Sequence, residues 1–240
     1  MVKLTIDDRT VEAEEGWTVL DAAEKAGIHI PTLCHHESLS SAGACRVCAV
    51  EIFKDSKASI SSACTYPVEE GLKVKTSSEK AIESRKLAVE LLMAQHPHSE
   101  TIKELAQKLG IESPRFVLKE KECILCELCV RACREIVGAE AITFIAQGKD
   151  RSNEEALIVH SEEKCIGCDS CAYICPTEAI TVDDAGDTRT LSTPSGKLEF
   201  KLKQCSKCGK YWAPEKQLEY IIKNWDLEPE LFDTCPDCRT

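Results

Sequence analysis

The stretches Cys123-Ile124-Leu125-Cys126-Glu127-Leu128-Cys129-Val130-Arg131-Ala132-Cys133 and Cys165-Ile166-Gly167-Cys168-Asp169-Ser170-Cys171-Ala172-Tyr173-Ile174-Cys175-Pro176 carry one spacing twice, Cys-x2-Cys-x2-Cys-x3-Cys. Reading that repeat decides the fold. Three thiolates two residues apart can wrap one face of an iron-sulfur cube, while the fourth, three residues further on, points away from it. A disulfide scaffold or paired zinc sites could also consume these cysteines, but neither requires this spacing twice.

The repeat resembles the ligand run of a bacterial two-cluster ferredoxin, which implies that the fourth ligands cross over. Cys123, Cys126, Cys129 and Cys175 are then expected to hold one [4Fe-4S] cluster, and Cys165, Cys168, Cys171 and Cys133 the other. The rest of the chain is built around more of the same chemistry, because its 16 cysteines fall into four groups of four. The hydrophobic fraction of 43% includes all of them, and aromatics reach only 5%, so metal is expected to supply part of the folding energy of several small modules. A formal charge of −11 argues against nucleic acid as a partner, since no basic stripe is available for phosphates. No apolar run approaches a membrane span, and the opening Met1-Val2-Lys3-Leu4-Thr5-Ile6 alternates rather than forming a signal sequence. A cytoplasmic location is expected, where thiols stay reduced and available to metal.

Along the chain, Lys3–Ile6 and Thr10–Ala13 read as a hairpin, Thr18–Ala26 as a helix stopped by Gly27, and Ala49–Phe53 as a strand. Glu79–Gln95 reads as a helix with Ser77 or Ser78 as N-cap and Ile82, Val89, Leu92 and Met93 on its apolar face. A second helix runs from Thr101 to Leu109. Asp184-Ala185-Gly186-Asp187 reads as a turn-rich exit, Leu191–Leu202 as a hairpin, and Pro214–Trp225 as a helix.

Cys34-x10-Cys45-x2-Cys48-x15-Cys64 departs from the plant-type C-x4-C-x2-C spacing in its first gap. That longer gap, Ile30-Pro31-Thr32-Leu33-Cys34, and Gly43-Ala44-Cys45-Arg46-Val47-Cys48-Ala49-Val50-Glu51 resemble the N-terminal ferredoxin domain shared by three groups of proteins. These are the large iron-sulfur subunit of respiratory complex I, the [FeFe] hydrogenases, and the diaphorase iron-sulfur subunit of NAD-linked [NiFe] hydrogenases. The resemblance covers about residues 1 to 185. It implies a [2Fe-2S] cluster on Cys34, Cys45, Cys48 and Cys64, with zinc as the rival reading, in a β-grasp domain. Members commonly carry a further cubane bound by one histidine and three cysteines. Here His96 remains after Leu91-Leu92-Met93-Ala94-Gln95, but no cysteine lies between Cys64 and Cys123. That cluster is expected to be absent, with His96 and His98 as ordinary helix-end residues.

The remaining cysteines form two knuckles, Cys205-x2-Cys208-Gly209 and Cys235-Pro236-x-Cys238, which read first as a tetrahedral zinc site. A rubredoxin-like iron, a [2Fe-2S] cluster or a third cubane would use the same residues. The expected α+β architecture is therefore a [2Fe-2S] domain over 1–77, a helical linker over 78–111, a dicluster domain over 112–187 and a four-cysteine ribbon-like module over 188–240. No nucleotide loop, nucleophile or general base is apparent, and the expected role is a non-catalytic electron relay. By resemblance it serves an NAD(P)-linked, possibly electron-bifurcating, hydrogenase. Its partners would be a flavin- and iron-sulfur-bearing NADH-oxidising subunit and the hydrogenase small and large subunits, with ferredoxin a further candidate. The alternatives are the same role in an NAD-linked formate dehydrogenase or a complex-I-like enzyme, a stand-alone ferredoxin, and a redox-sensing zinc-ribbon regulator.

Overall fold

A computed structural model describes residues 1–55, 57–145 and 157–239. The stretch 146–156, inside the expected dicluster domain, and residues 56 and 240 lie outside the described residues. The chain divides into two compact units, Met1–Cys126 and Glu127–Thr240.

The first unit is organised by a five-stranded mixed sheet of order β2-β1-β5-β3-β4. Its strands are β1 (Val2–Ile6), β2 (Arg9–Ala13), β3 (Ala49–Lys54), β4 (Lys57–Ser62) and β5 (Lys73–Lys75). The β1–β2 and β3–β4 hairpins are antiparallel, and β5 closes the sheet by running parallel to β1 and antiparallel to β3. Period-two burial selects Leu4, Ile6, Val11 and Ala13 as the inward face of the first hairpin. Helix α1 (Val19–Lys25) covers that face with Val19, Leu20, Ala22 and Ala23. Thr18 and Asp21 cap it reciprocally: the Thr18 backbone N–H donates to Asp21 at 2.7 Å, and the Asp21 N–H to Thr18 Oγ at 3.2 Å. Such a capping box contributes about 1 kcal/mol. This is the expected β-grasp arrangement of a small sheet around a helix.

Helices α2 (Glu79–Gln95) and α3 (Glu100–Lys108) pack on one another, each opened by a serine cap, Ser78 and Ser99. Val89, Leu92 and Met93 of α2 pack inward as the periodicity suggests, and the departure is confined to its first turns. Ala81, Arg85, Val89, Glu90 and Ala94 are buried, whereas Ile82 is exposed. The small Ala81 lets α2 lie close to β3, and Arg85 uses that approach to reach the strand backbone. Val89, Ile102 and Ala106 pack with Leu33 and Val47, so the helical pair clamps the loop that carries Cys34, Cys45 and Cys48.

In the second unit a short helix α4 (Leu128–Arg131) runs on into a π-helical turn, Ala132–Val137, and packs beside α5 (Ser170–Tyr173). Strands β6 (Ile142–Ile145) and β7 (Leu157–His160) form an antiparallel pair. A four-stranded antiparallel sheet follows, of order β11-β10-β9-β8, from β8 (Thr181–Ala185), β9 (Thr188–Thr193), β10 (Gly196–Gln204) and β11 (Tyr211–Pro214). The residues read as an exit, Asp184–Asp187, end β8 and turn it back into β9. Helix α6 (Glu215–Trp225) packs on β10 and β11.

Candidate iron-sulfur and metal centres

Cys34, Cys48 and Cys64 are almost wholly buried and Cys45 is half-buried. Their loop is fixed because Leu33 and Val47, each next to a ligand, are buried against the helical pair. The four thiols gather as two pairs. The Cys45 N–H donates to Cys34 Sγ at 3.4 Å, and hydrogen bonding to Cys34 pushes the Cys45 thiol well above its usual range. Cys48 and Cys64 share a bond with an Sγ···Sγ separation of 3.4 Å, which holds Cys48 down to about 6 and Cys64 up. Charge repulsion from Cys48, Cys34 and Cys45 raises Cys64 further. A two-iron core needs two thiolates on each iron, and two pairs are the donor set it fits. Arg46 turns the loop at φ +62° and donates to Ser62 Oγ at 3.0 Å.

The repeated cysteine runs share backbone geometry as well as spacing. Leu125 and Gly167, each just before the second cysteine of its run, lie in the left-handed region, as do Glu127 and Asp169 two residues later. This alternation aims backbone N–H groups at sulfur. The Leu125 N–H donates to Cys123 Sγ at 3.3 Å, and a bond from the Gly167 backbone partly offsets the rise that burial imposes on Cys165. At Gly167 glycine is required twice over: φ is +71°, and an added Cβ would stand 2.8 Å from the Phe200 ring of β10.

Cys133, Cys165, Cys168 and Cys171 line one apolar cavity, with Val137, Ala141, Ile142 and Ile166 around them and Leu191 of β9 forming part of its wall. The crossed set is thus brought together, the fourth cysteine of the first run with the first three of the second. Burial raises Cys133, Cys165 and Cys171, the last to about 12, and the neighbouring thiols raise each further. Thiols disfavoured as bare anions in an apolar pocket are suited to bound iron, which supplies the missing positive charge. The Ala141 N–H donates to Cys133 Sγ at 3.3 Å. Of the other expected set, Cys123 and Cys126 end the first unit, while Cys129 lies on α4 and Cys175 just beyond α5, its Sγ 3.7 Å from Thr177 Oγ1.

Sequence reasoning missed Arg189. It lies on β9 in the mostly covered space behind the second cysteine run, donates to the Gly167 carbonyl at 3.0 Å, and grips Asp184 with two bonds of 2.7 and 2.8 Å. That bidentate pair raises Arg189 and lowers Asp184. The arginine thereby ties the cluster loop to a strand 22 residues away. An arginine in an alternating strand carries no local mark of such a partner. His96 caps α2 and is buried, and neither ring nitrogen has a hydrogen-bond partner among the described residues. Burial lowers its pKa. His98 instead is exposed beside Glu120 at 3.6 Å.

The C-terminal cysteines form a tighter site. The sulfurs of Cys205, Cys208, Cys235 and Cys238 all lie within 4.8 Å of one another, and Cys208 and Cys235 are 3.8 Å apart. A tetrahedron of thiolates at about 2.3 Å from one zinc has edges of about 3.8 Å. The donor set therefore fits a single ion; the thiolates of a cubane stand further apart, outside its iron and sulfide atoms. The Cys235 N–H donates to Cys205 Sγ at 3.3 Å and is the main cause of a Cys205 thiol lowered to about 6. Hydrogen bonding with Cys235 raises Cys238 to about 12. Arg239 stacks over Trp212 and Phe232, closing the tail over β11. Helix α6 then joins this module to the cluster-bearing part of its unit. Lys216 Nζ donates to the Glu162 and Glu163 carbonyls, both at 2.7 Å, and the Tyr220 hydroxyl to the Val137 carbonyl at 3.1 Å.

With this geometry in view, residues 1–79 match the model of a 2Fe-2S iron-sulfur cluster binding domain, and residues 117–182 a 4Fe-4S dicluster domain. A second 4Fe-4S dicluster model matches 164–210, taking in Cys205 and Cys208. The chain is 34% identical over 206 residues to the NADPH-Fe(3+) oxidoreductase subunit alpha of Geobacter sulfurreducens, covering 74% of this chain and 24% of that one. It is 29% identical over 211 residues to the NADP-reducing hydrogenase subunit HndD of Solidesulfovibrio fructosivorans, covering 75% of this chain and 36% of the relative. A 31% identity over 207 residues relates it to the mitochondrial NADH-ubiquinone oxidoreductase 78 kDa subunit of Neurospora crassa, covering 75% and 27%. The chain thus spans about a quarter to a third of the length of the curated relatives it matches. Among solved structures it resembles an NAD+-reducing [NiFe]-hydrogenase in the H2-reduced state, with a TM-score of 0.55, 29% identity, and coverage of 61% of this chain and 71% of that one. The chain therefore joins a 2Fe-2S iron-sulfur cluster binding domain to 4Fe-4S dicluster domains, and it is similar to subunits of NAD(P)-linked hydrogenases and oxidoreductases.

Proposed function

We propose that this chain is a non-catalytic electron relay within a multisubunit, NAD(P)-linked hydrogenase. One observation carries the reading: among the described residues, cysteines gather at three separate places, two of them within the spans that match 2Fe-2S and 4Fe-4S domains. Cys34 and Cys45 with Cys48 and Cys64 would hold the [2Fe-2S] cluster. Cys133, Cys165, Cys168 and Cys171 would hold one [4Fe-4S] cluster, and Cys123, Cys126, Cys129 and Cys175 the other. When bound, such clusters accept and release single electrons. The residues around them exclude water with Val47, Ile142, Ile166 and Leu191, and aim N–H groups at the sulfurs, which sets the potential.

The four C-terminal cysteines would hold zinc and pin the tail through α6. The proposed partners are a flavin-bearing, NAD(P)H-oxidising subunit and the hydrogenase small and large subunits, in the cytoplasm. Among the described residues no helix is long and apolar enough to cross a membrane. The likeness to the NADH-ubiquinone oxidoreductase 78 kDa subunit supports a second reading, the same relay in a complex-I-like enzyme.

The test is anaerobic purification of the tagged chain from its own cells, followed by identification of the co-purifying subunits. The relay reading expects a flavoprotein and a hydrogenase module in the complex, with clusters bleached by NAD(P)H only when the flavoprotein is present. A monomer that exchanges electrons freely without partners would make it a stand-alone ferredoxin.

A further inference from the structure

We propose that Arg85 is the charge that sets the potential of the N-terminal cluster site, a fixed guanidinium built into the protein beside the ligand Cys48. The proposal rests on the reading that Cys34, Cys45, Cys48 and Cys64 hold a [2Fe-2S] cluster.

Arg85 lies in the middle of α2, on the face pressed against β3, and is only 7% exposed. Its Nε donates to the Ala49 carbonyl at 2.7 Å, and Ala49 follows Cys48 directly in the chain. The bond fixes the guanidinium one residue from a ligand. One terminal nitrogen, Nη2, is buried with no hydrogen-bond partner among the described residues. A buried guanidinium with an unsatisfied donor is costly to keep charged unless an anion nearby offsets it. Other ionisable groups on the surrounding elements are already engaged. Glu51 of β3 is bound by Lys80, Glu90 of α2 by Arg115, and Asp7 by the Thr76 N–H and hydroxyl. Burial disfavours the Arg85 charge, while Cys48 first and Asp7 second favour it.

The geometry on the page therefore puts a buried guanidinium on the carbonyl of the residue that follows the ligand Cys48, with Nη2 unpaired among the described residues. Four thiolates and two sulfides leave a bound two-iron core with net negative charge, and reduction adds one electron and no proton. A cation fixed nearby favours the form with the extra electron, more strongly in a dry site than in water. Arg85 is a positioning and tuning residue. It touches no reacting atom.

The experiment is a redox titration of the [2Fe-2S] electron paramagnetic resonance signal in the anaerobically purified full-length protein, for wild type, R85Q and R85K, with the [4Fe-4S] signals as internal reference. R85Q is expected to hold its cluster but to be about tenfold less reduced at a fixed poise, a downward shift of about 59 mV for a one-electron couple. R85K should fall between R85Q and wild type. If R85Q has full cluster content and an unchanged potential, Arg85 is only a pin between α2 and β3, and the proposal fails. Should R85Q lose the cluster, R85K decides. Full occupancy at a potential near wild type means that the site needs the charge, whereas an empty R85K site means that it needs the guanidinium shape, which overturns the proposal. A wild-type protein with no [2Fe-2S] signal would refute the underlying reading instead.

Discussion

The cavity of Cys133, Cys165, Cys168 and Cys171 and the knuckles of Cys205, Cys208, Cys235 and Cys238 lie in one unit and use one sequence device, the Cys-x2-Cys turn. They end as different sites. In the first the thiols stand around an apolar space walled by Ile142, Ile166 and Leu191. In the second they close to within 4.8 Å of each other, with Cys208 and Cys235 at 3.8 Å, about the edge length of a tetrahedron around one ion. The shared turn sets where two sulfurs point; what lies between the sulfurs is decided by the partner run. A three-residue step sends Cys133 across to the sister motif, and Leu191 and Phe200 shape the far side. The C-terminal knuckles instead meet face to face, with the Cys235 N–H donating to Cys205 Sγ and no apolar wall needed. On the proposed reading, the difference between a redox site and a structural one is made by residues outside the ligand motif.

Removing one ligand from each site should separate the two most visibly. Replacing Cys171 with serine should remove about four irons per chain and leave zinc in place, and C133S should abolish the same [4Fe-4S] signal as C171S. The matching change at Cys235 should release the zinc and leave the iron content intact. Metal analysis with electron paramagnetic resonance checks both. If C133S instead removed the signal that depends on Cys123, the ligands would not cross.

A smaller effect is expected at Gly167. Its Cβ would clash with Phe200 at a left-handed φ, so G167A should cost about 2–4 kcal/mol. That should appear as faster loss of cluster absorbance in denaturant, while zinc retention stays at the wild-type level. Smaller again is R189Q, which breaks the bonds to Asp184 and to the Gly167 carbonyl. About 1–2 kcal/mol should be lost from the cluster-bearing part, measured by the same absorbance decay. An R189Q protein as durable as wild type would show that β9 is a bystander to the cluster loop.

Much of this was legible in the text because metal ligation and helix capping are local. Four residues of cysteine spacing name a turn, the periodicity of Thr18–Ala26 names a helix, and Gly27 names its end. What could not be read is what acts across the chain. Arg189 reaches Gly167 from 22 residues away, Phe200 packs where that glycine has no side chain, and neither leaves a periodic signal. Asp184–Asp187 has the composition of any turn, and only the pairing of β8 with β9 makes it a hairpin. In α2 the apolar pattern of Ile82, Val89, Leu92 and Met93 holds at the last three, yet close packing against β3 favours the small Ala81 and the buried Arg85 over Ile82. Hydrophobicity ranks residues by their wish to leave water, but it does not say which face can approach a strand.

The most direct test of the contrast between the two kinds of site is the iron, acid-labile sulfide and zinc content of the full chain purified without oxygen. About ten irons, about ten sulfides and about one zinc per chain are predicted, from one [2Fe-2S] cluster, two [4Fe-4S] clusters and a mononuclear tail. About fourteen irons with no zinc would contradict it, making the C-terminal cysteines a third cubane and the tail part of the electron path.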